Sequence, residues 1–119
     1  MFINFTNHPC SNWSDSQKKT GEQWGVIEDL PFPNVNPYWN EQELDNLANQ
    51  IAMQIIEKTP TAVLCQGEMT LAFRITSLLK AAGILVVAAC SERKSNEIIS
   101  PDGTVKKYVE FEFIQYREF

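Results

Sequence analysis

The chain is short of the residues that most often advertise a function. Its 119 residues include three cysteines, five glycines and one histidine. No two cysteines stand in a CxxC pair, and an odd number fits a reduced cytoplasmic protein better than a disulfide scaffold. The glycines form neither a P-loop nor a GxGxxG, so neither of these phosphate-cradling motifs is present. No apolar run approaches the ~20 residues of a membrane span, and the longest, Ala81 to Cys90, is broken by Gly83. The first residues, Met1-Phe2-Ile3-Asn4-Phe5, have no basic region and no cleavable stretch, so no secretory signal is expected. Positive charge is scarce as well. Ten Lys and Arg against fifteen Asp and Glu leave a net charge of −5, which speaks against a duplex-DNA partner with its need for a basic face. A small anionic ligand stays open, because it needs only a few donors in one cleft.

What remains is an ordinary globular composition, 44% hydrophobic and 21% charged, which excludes disorder and collagen-like repeats. The length suits one core, so a single domain over residues 1–119 is expected.

Apolar runs and turn signals order the chain. Met1 to Phe5 reads as a buried strand that stops in a loop, Thr6 to Asn12. Ser14 looks like the cap of a polar helix ending near Gly25, and Val26 to Leu30 is a short second strand. After a loop with Pro31, Pro33 and Pro37, Asn40 to Lys58 is the clearest helix, with Leu44, Leu47, Ala48, Ile51 and Ile55 on one stripe. Thr61 to Cys65 is a third strand, almost wholly apolar, as strands covered on both faces are. Gln66-Gly67-Glu68 turns into a helix that runs to Ala82 and stops at Gly83. Ile84 to Ala89 is a fourth strand, expected to empty into a loop, Cys90 to Ser95. Pro101-Asp102-Gly103 then marks a turn between Glu97-Ile98-Ile99 and a long half-exposed strand carrying Val109, Phe111 and Phe113. The alternation predicts an α/β fold: a Rossmann-like sheet of mostly parallel strands flanked by helices, with a C-terminal β-hairpin extension.

Open parallel sheets bind ligands outside the carboxyl ends of their strands, where the strand order reverses. With the order 2-1-3-4, three loops meet there, and they hold the chain's charged and acid–base candidates. In the first loop, Pro9 biases His8 to an extended backbone. An imidazole held at a strand end is suited to proton exchange near neutral pH, although a lone surface histidine often has no task. Asn7 beside it either donates to a phosphate or caps the loop. In the second loop, Gly67 permits a tight turn and a helix with free N–H groups follows, an arrangement suited to phosphate. Glu68 either complements the helix dipole or orients a ligand or the histidine, and Gln66 at the strand end is similar. The third loop offers the Ser91 hydroxyl, the Arg93 guanidinium and the Lys94 ammonium, the types that neutralise phosphate oxygens, unless the run is simply solvated. A zinc site can be drawn from Cys10, Cys65, Cys90 and His8, but no pair has ligand spacing and Cys65 falls inside an apolar strand. No metal and no other cofactor is therefore expected, and a nucleophilic Cys10 is not favoured. Trp13, Trp24 and Trp39 are read as packing residues, one of which could stack on a base.

With these loops assembled, the chain resembles the small stand-alone ring nucleases of type III CRISPR systems, relatives of CARF domains. The residues behind the resemblance are Phe5-Thr6-Asn7-His8-Pro9, Cys65-Gln66-Gly67-Glu68 and Ala89-Cys90-Ser91-Glu92-Arg93. The resemblance implies a dimer that holds a cyclic oligoadenylate across its two-fold axis and cuts it without metal. It implies His8, Glu68 and Arg93 as catalytic residues, and Asn7, Gln66, Gly67, Ser91 and Lys94 as ligand-binding ones. Departures from that pattern are the acidic balance, the single histidine and the want of a second acid–base partner. Two other readings follow: a module that sequesters the nucleotide uncut, and an enzyme on another phosphorylated, nucleotide-like metabolite. The apolar face of the last strand points to a homodimer, since an uncovered edge invites aggregation.

Overall fold

The computed structural model describes residues 1–119. Eight regular elements alternate along it: β1 (Phe2–Phe5), α1 (Asp15–Gly21), β2 (Ile27–Asp29), α2 (Glu41–Glu57), β3 (Ala62–Cys65), α3 (Met69–Ala81), β4 (Leu85–Ile99) and β5 (Val105–Glu118). Short 3-10 turns, Cys10–Asn12 and Glu22–Trp24, flank α1. The five strands form one sheet in the order β2-β1-β3-β4-β5. The first four are parallel and β5 is antiparallel to β4, so the expected α/β class and strand order both hold.

Every residue of β1 and β3 is buried, which explains why both read as unbroken apolar runs. Alternate residues serve two cores. Ile3, Phe5, Val63, Cys65 and Val86 meet α2 and α3, where Leu44, Ala48, Ile51 and Ile55 supply the facing stripe. Phe2, Ala62, Leu64 and Val87 face the other way. There α1 is only seven residues long, and aromatics complete the cover: Trp24 and Tyr116 lie with ring centroids 4.9 and 5.2 Å from that of Phe2. Trp13 and Trp24 are thus packing residues, as expected, whereas Trp39 is 37% exposed. Asn40 caps α2 by accepting from the Glu43 N–H at 2.9 Å, and Gly83 at φ +80° ends the α3 segment.

One expectation fails. Cys90 to Ser95 is no loop, because β4 runs unbroken through it to Ile99, absorbing the separate strand expected at Glu97–Ile99. β3 pairs with β4 only over Leu85–Val87, but β5 pairs with it from Val87↔Glu118 out to Ile99↔Val105. Such a polar run has the composition of a loop, but here its hydrogen bonds go to a partner strand about twenty residues downstream. Its charges are answered there too: Lys94 pairs with Glu112, and the Asn96 amide donates to Glu110 at 3.2 Å. Between Ser91↔Phe113 and Cys90↔Gln115, Ile114 is an extra residue, a bulge where the ribbon leaves the sheet. The result is a two-stranded arm. It raises the radius of gyration to 17.3 Å, against about 13–14 Å for a compact chain of this length.

Candidate functional site

A cleft of about 680 Å³ opens at the carboxyl ends of β1, β3 and β4, on the aromatic side of the sheet. Thr6 and His8 enter it from β1, and Leu64 and Gln66 from β3. Ala89 and Ser91 belong to β4, and the stretch Glu110 to Phe113 to β5. Asn12, Trp13, Ser14 and Gln17 close the α1 side.

The turn that presents His8 is fixed from beneath by Asn4, whose side chain is 1% exposed. A buried amide must satisfy both its N–H groups and its oxygen. Asn4 Nδ2 donates to the His8 carbonyl and to Asp29 Oδ1, each at 2.8 Å, while its oxygen accepts from the Thr6 hydroxyl at 2.8 Å. The His8 N–H donates to Thr6 Oγ1 at 3.0 Å, and the Trp13 indole donates to the His8 carbonyl at 3.1 Å. The imidazole stands exposed on this anchored backbone. Asp29 also accepts from the Cys10 N–H at 3.1 Å. Burial works against the Asp29 carboxylate, but the hydrogen bonds from Asn4 and Cys10 outweigh it and hold its pKa below the ordinary value.

Burial, and then the neighbouring Asp29, push the Cys10 thiol up, which keeps it protonated and unsuited to nucleophilic attack. Cys65 is raised by burial in β3. No three His, Cys, Asp or Glu side chains converge in a way that could hold a metal ion.

The β3–α3 turn departs from the phosphate-binding picture. Glu68 is the cap of α3, and its carboxylate accepts from the Thr70 N–H at 3.0 Å and the Leu71 N–H at 2.9 Å. The Thr70 hydroxyl above all, then these N–H groups, lower its pKa. Two of the N–H groups expected to be free for an anion, those of Thr70 and Leu71, are therefore already taken. Gly67 is needed for packing, since a Cβ there would lie 2.5 Å from the ring of Phe32, which is itself buried against Phe5. Gln66 lines the cleft and accepts from the Ala89 N–H at 3.1 Å, holding β3 to β4 where their ladder ends.

The fold thus gathers His8, Gln66 and Ser91 in one cleft. Asn7, Gly67, Glu68, Arg93 and Lys94 lie outside its lining. Arg93 is on the same face of β4 as Ser91 but one step further along the arm, and Lys94 is on the opposite face, engaged with Glu112. No lysine or arginine lines the cleft, while Glu110 and Glu112 do. Its lining is aromatic and polar, with two carboxylates and no cation, which suits a nucleobase and its ribose more than several phosphates. Thr6, Gln17 and the Asn4–Asp29 pair belong to the site beyond the residues expected from sequence. The available signal was Asn4 itself, a polar residue in an otherwise apolar strand.

The sheet order and the cleft at its carboxyl edge define a Rossmann-like α/β protein. Over residues 1–117 the chain matches the uncharacterized protein MJ1673 family, and it belongs to that family. No curated protein and no solved structure matches it. No helix is long and apolar enough to cross a membrane.

Proposed function

We propose that the protein is a ring nuclease of type III CRISPR signalling, binding cyclic oligoadenylate in this cleft and opening it without metal. The observation that carries the reading is the meeting of His8, Gln66 and Ser91 with Trp13 and Phe111 at the carboxyl ends of parallel strands. Trp13 in the cleft wall offers an apolar surface to adenine, and Gln66, Ser91 and Gln17 offer hydrogen bonds to base or ribose. A ribose 2′-hydroxyl attacks the adjacent phosphorus, the bond to the 5′-oxygen breaks, and a 2′,3′-cyclic phosphate and a 5′-hydroxyl result. His8 takes the proton from the 2′-hydroxyl or supplies one to the leaving 5′-oxygen, a contribution of about 10²–10⁴-fold. Arg93 lies outside the lining, one step further along the arm than Ser91, so stabilising the charge on the phosphorane falls to the hydrogen-bond donors of Gln66 and Ser91. A cleft of about 680 Å³ suits one drug-sized ligand, so a ring of several nucleotides spans the clefts of two copies in a homodimer.

A second reading, sequestration without cleavage, is favoured by the commitments of the charged groups. Glu68 caps α3 and Lys94 is paired with Glu112, and the lining holds His8, Glu110 and Glu112 but no lysine or arginine to offset charge on a phosphorane. Incubation with a panel of cyclic oligoadenylates in EDTA, with products read by mass, separates the readings. Linear products ending in cyclic phosphate, lost in His8→Ala while binding persists, support the nuclease. Tight binding without turnover supports sequestration. Absence of binding removes both and leaves a different nucleotide-like metabolite.

A further inference from the structure

The arm formed by β4 and β5 beyond Cys90 has two unlike faces. One carries mostly charge, with Glu92, Lys94, Lys106 and Glu112. The other continues the aromatic core outward through Phe113, Phe111 and Val109 to Val105 and Ile99 at the tip. Phe113 is buried, but Phe111 is 71% exposed and Ile99 73% exposed. Phe111 alone presents on the order of 100–180 Å² of surface, and the whole ribbon reaches the several hundred Å² that mark an interaction site. A free ribbon with one such face is unstable in water unless something covers it.

We propose that a second copy of the same arm covers it, face to face and antiparallel, so that each arm's tip closes the other protomer's cleft. The charges on this face select the partner and the register. A two-fold axis through the cross-strand pair Ser95↔Val109 lays Arg93, which has no ion pair within its own chain, over the partner's Glu97. Moving the axis one pair inward sets Arg93 over Arg93, and one pair outward sets Glu97 over Glu97 and Lys107 over Lys107. Only the central register joins opposite charges, and there Lys107 covers the ring of Phe111, a cation–π contact. The small Ser95 at the axis lets the two ribbons approach to the ~10 Å of packed sheets. Edge-to-edge pairing of β5 is the other way to join two copies, but it leaves Phe111 and Val109 in water.

The same register has a consequence at the cleft. Val105 and Ile99 of one arm come to lie over Phe113 and Ser91 of the other, and both of those line the cleft. The site is then composite, with an apolar lid donated in trans. This stands on the arm's surface and does not depend on which ligand the cleft takes.

Light scattering on the full chain is expected to give twice the chain mass of 13.6 kDa. Phe111→Glu is expected to give the single-chain mass with an unchanged circular dichroism spectrum, whereas Lys106→Glu on the other face leaves the dimer intact. Arg93→Glu is expected to weaken the dimer by roughly tenfold, and the double variant Arg93→Glu, Glu97→Arg to recover most of that loss. Benzoylphenylalanine in place of Val105 reports the register. In a mixture of isotopically light and heavy chains, irradiation should join it to the other chain near Phe113 or Trp13. A monomeric wild type, a dimeric Phe111→Glu, a charge swap without recovery, or cross-links elsewhere overturns the proposal. A dimer that ignores cyclic oligoadenylate sinks only the ligand assignment, and a monomer that cleaves it sinks only the arm.

Discussion

Asn4→Asp alters one group of a buried side chain and removes the donor on which the His8 turn rests. Asn4 Nδ2 makes two hydrogen bonds of 2.8 Å, one to the His8 carbonyl and one to Asp29. A neutral bond of this kind contributes about 0.5–1.5 kcal/mol and one to a charged acceptor about 1.5–3 kcal/mol. Asp29 is solvent-exposed, so screening brings the second to the lower end, and the sum is about 2–3 kcal/mol. With a urea dependence of roughly 2 kcal/mol per molar, the unfolding midpoint falls by about 1–1.5 M at pH 7. The pH dependence gives a second check. In the wild type, the Asn4 and Cys10 hydrogen bonds hold the Asp29 pKa low, so its stabilisation is present above the unfolded value of about 3.9. It is lost as pH falls through the folded value. In the variant two carboxylates face each other, and one of them has a raised folded pKa. That penalty is absent below about pH 4 and grows as pH rises through the folded value. The stability gap between the two proteins must therefore narrow from pH 7 to pH 4. A midpoint shift below about 0.3 M at pH 7, or a gap that widens on acidification, refutes the assigned network. Amide exchange at His8 should also quicken in the variant, because its turn has lost its buried anchor.

The turn after β3 supplies two more expectations. Gly67→Ala places a methyl group 2.5 Å from the ring of Phe32 and should cost about 1–3 kcal/mol, measured by urea denaturation. Phe32→Leu on that background should recover part of the loss, and strict additivity would show that the two do not touch. Glu68→Ala strips the cap from α3 and should cost about 1 kcal/mol at pH 7. Because the folded Glu68 pKa is lowered, its stabilisation is present above the unfolded value of about 4.3 and lost as pH falls through the folded value. A Glu68→Ala protein as stable as the wild type at pH 7 would show that the carboxylate does not cap.

Legibility along the chain followed how local each interaction is. α2 was readable from its cap and stripe because Asn40 and Glu43 lie three residues apart and Leu44, Ala48, Ile51 and Ile55 share one face by helical spacing alone. β1 and β3 were readable because burial on both faces leaves no place for polar residues, and the one exception, Asn4, turned out to be the hub beneath His8. The polar stretch Ser91 to Lys94 was not readable. Its ladder partners, Phe113 to Glu110, are some twenty residues away, and nothing in its composition distinguishes a solvated strand from a loop. The same blindness affected the candidate site. Arg93 and Lys94 are of the types that bind phosphate and Glu68 of a type that orients a ligand, but a strand face, a cross-strand ion pair and a helix cap determine where those side chains point.

The sequence by itself determined the alternation of strands and helices, the parallel sheet and the placing of His8 and Gln66 at strand ends. Periodicity and capping act within a few residues, and the handedness of crossovers leaves few ways to join such elements. Only the tertiary structure decided that Gly67 serves a phenylalanine ring, that the helix end beside it is already occupied, and that the fourth and fifth strands continue past the sheet as an arm. Those outcomes depend on which distant groups compete for one donor or one volume, a contest that short-range pattern does not record.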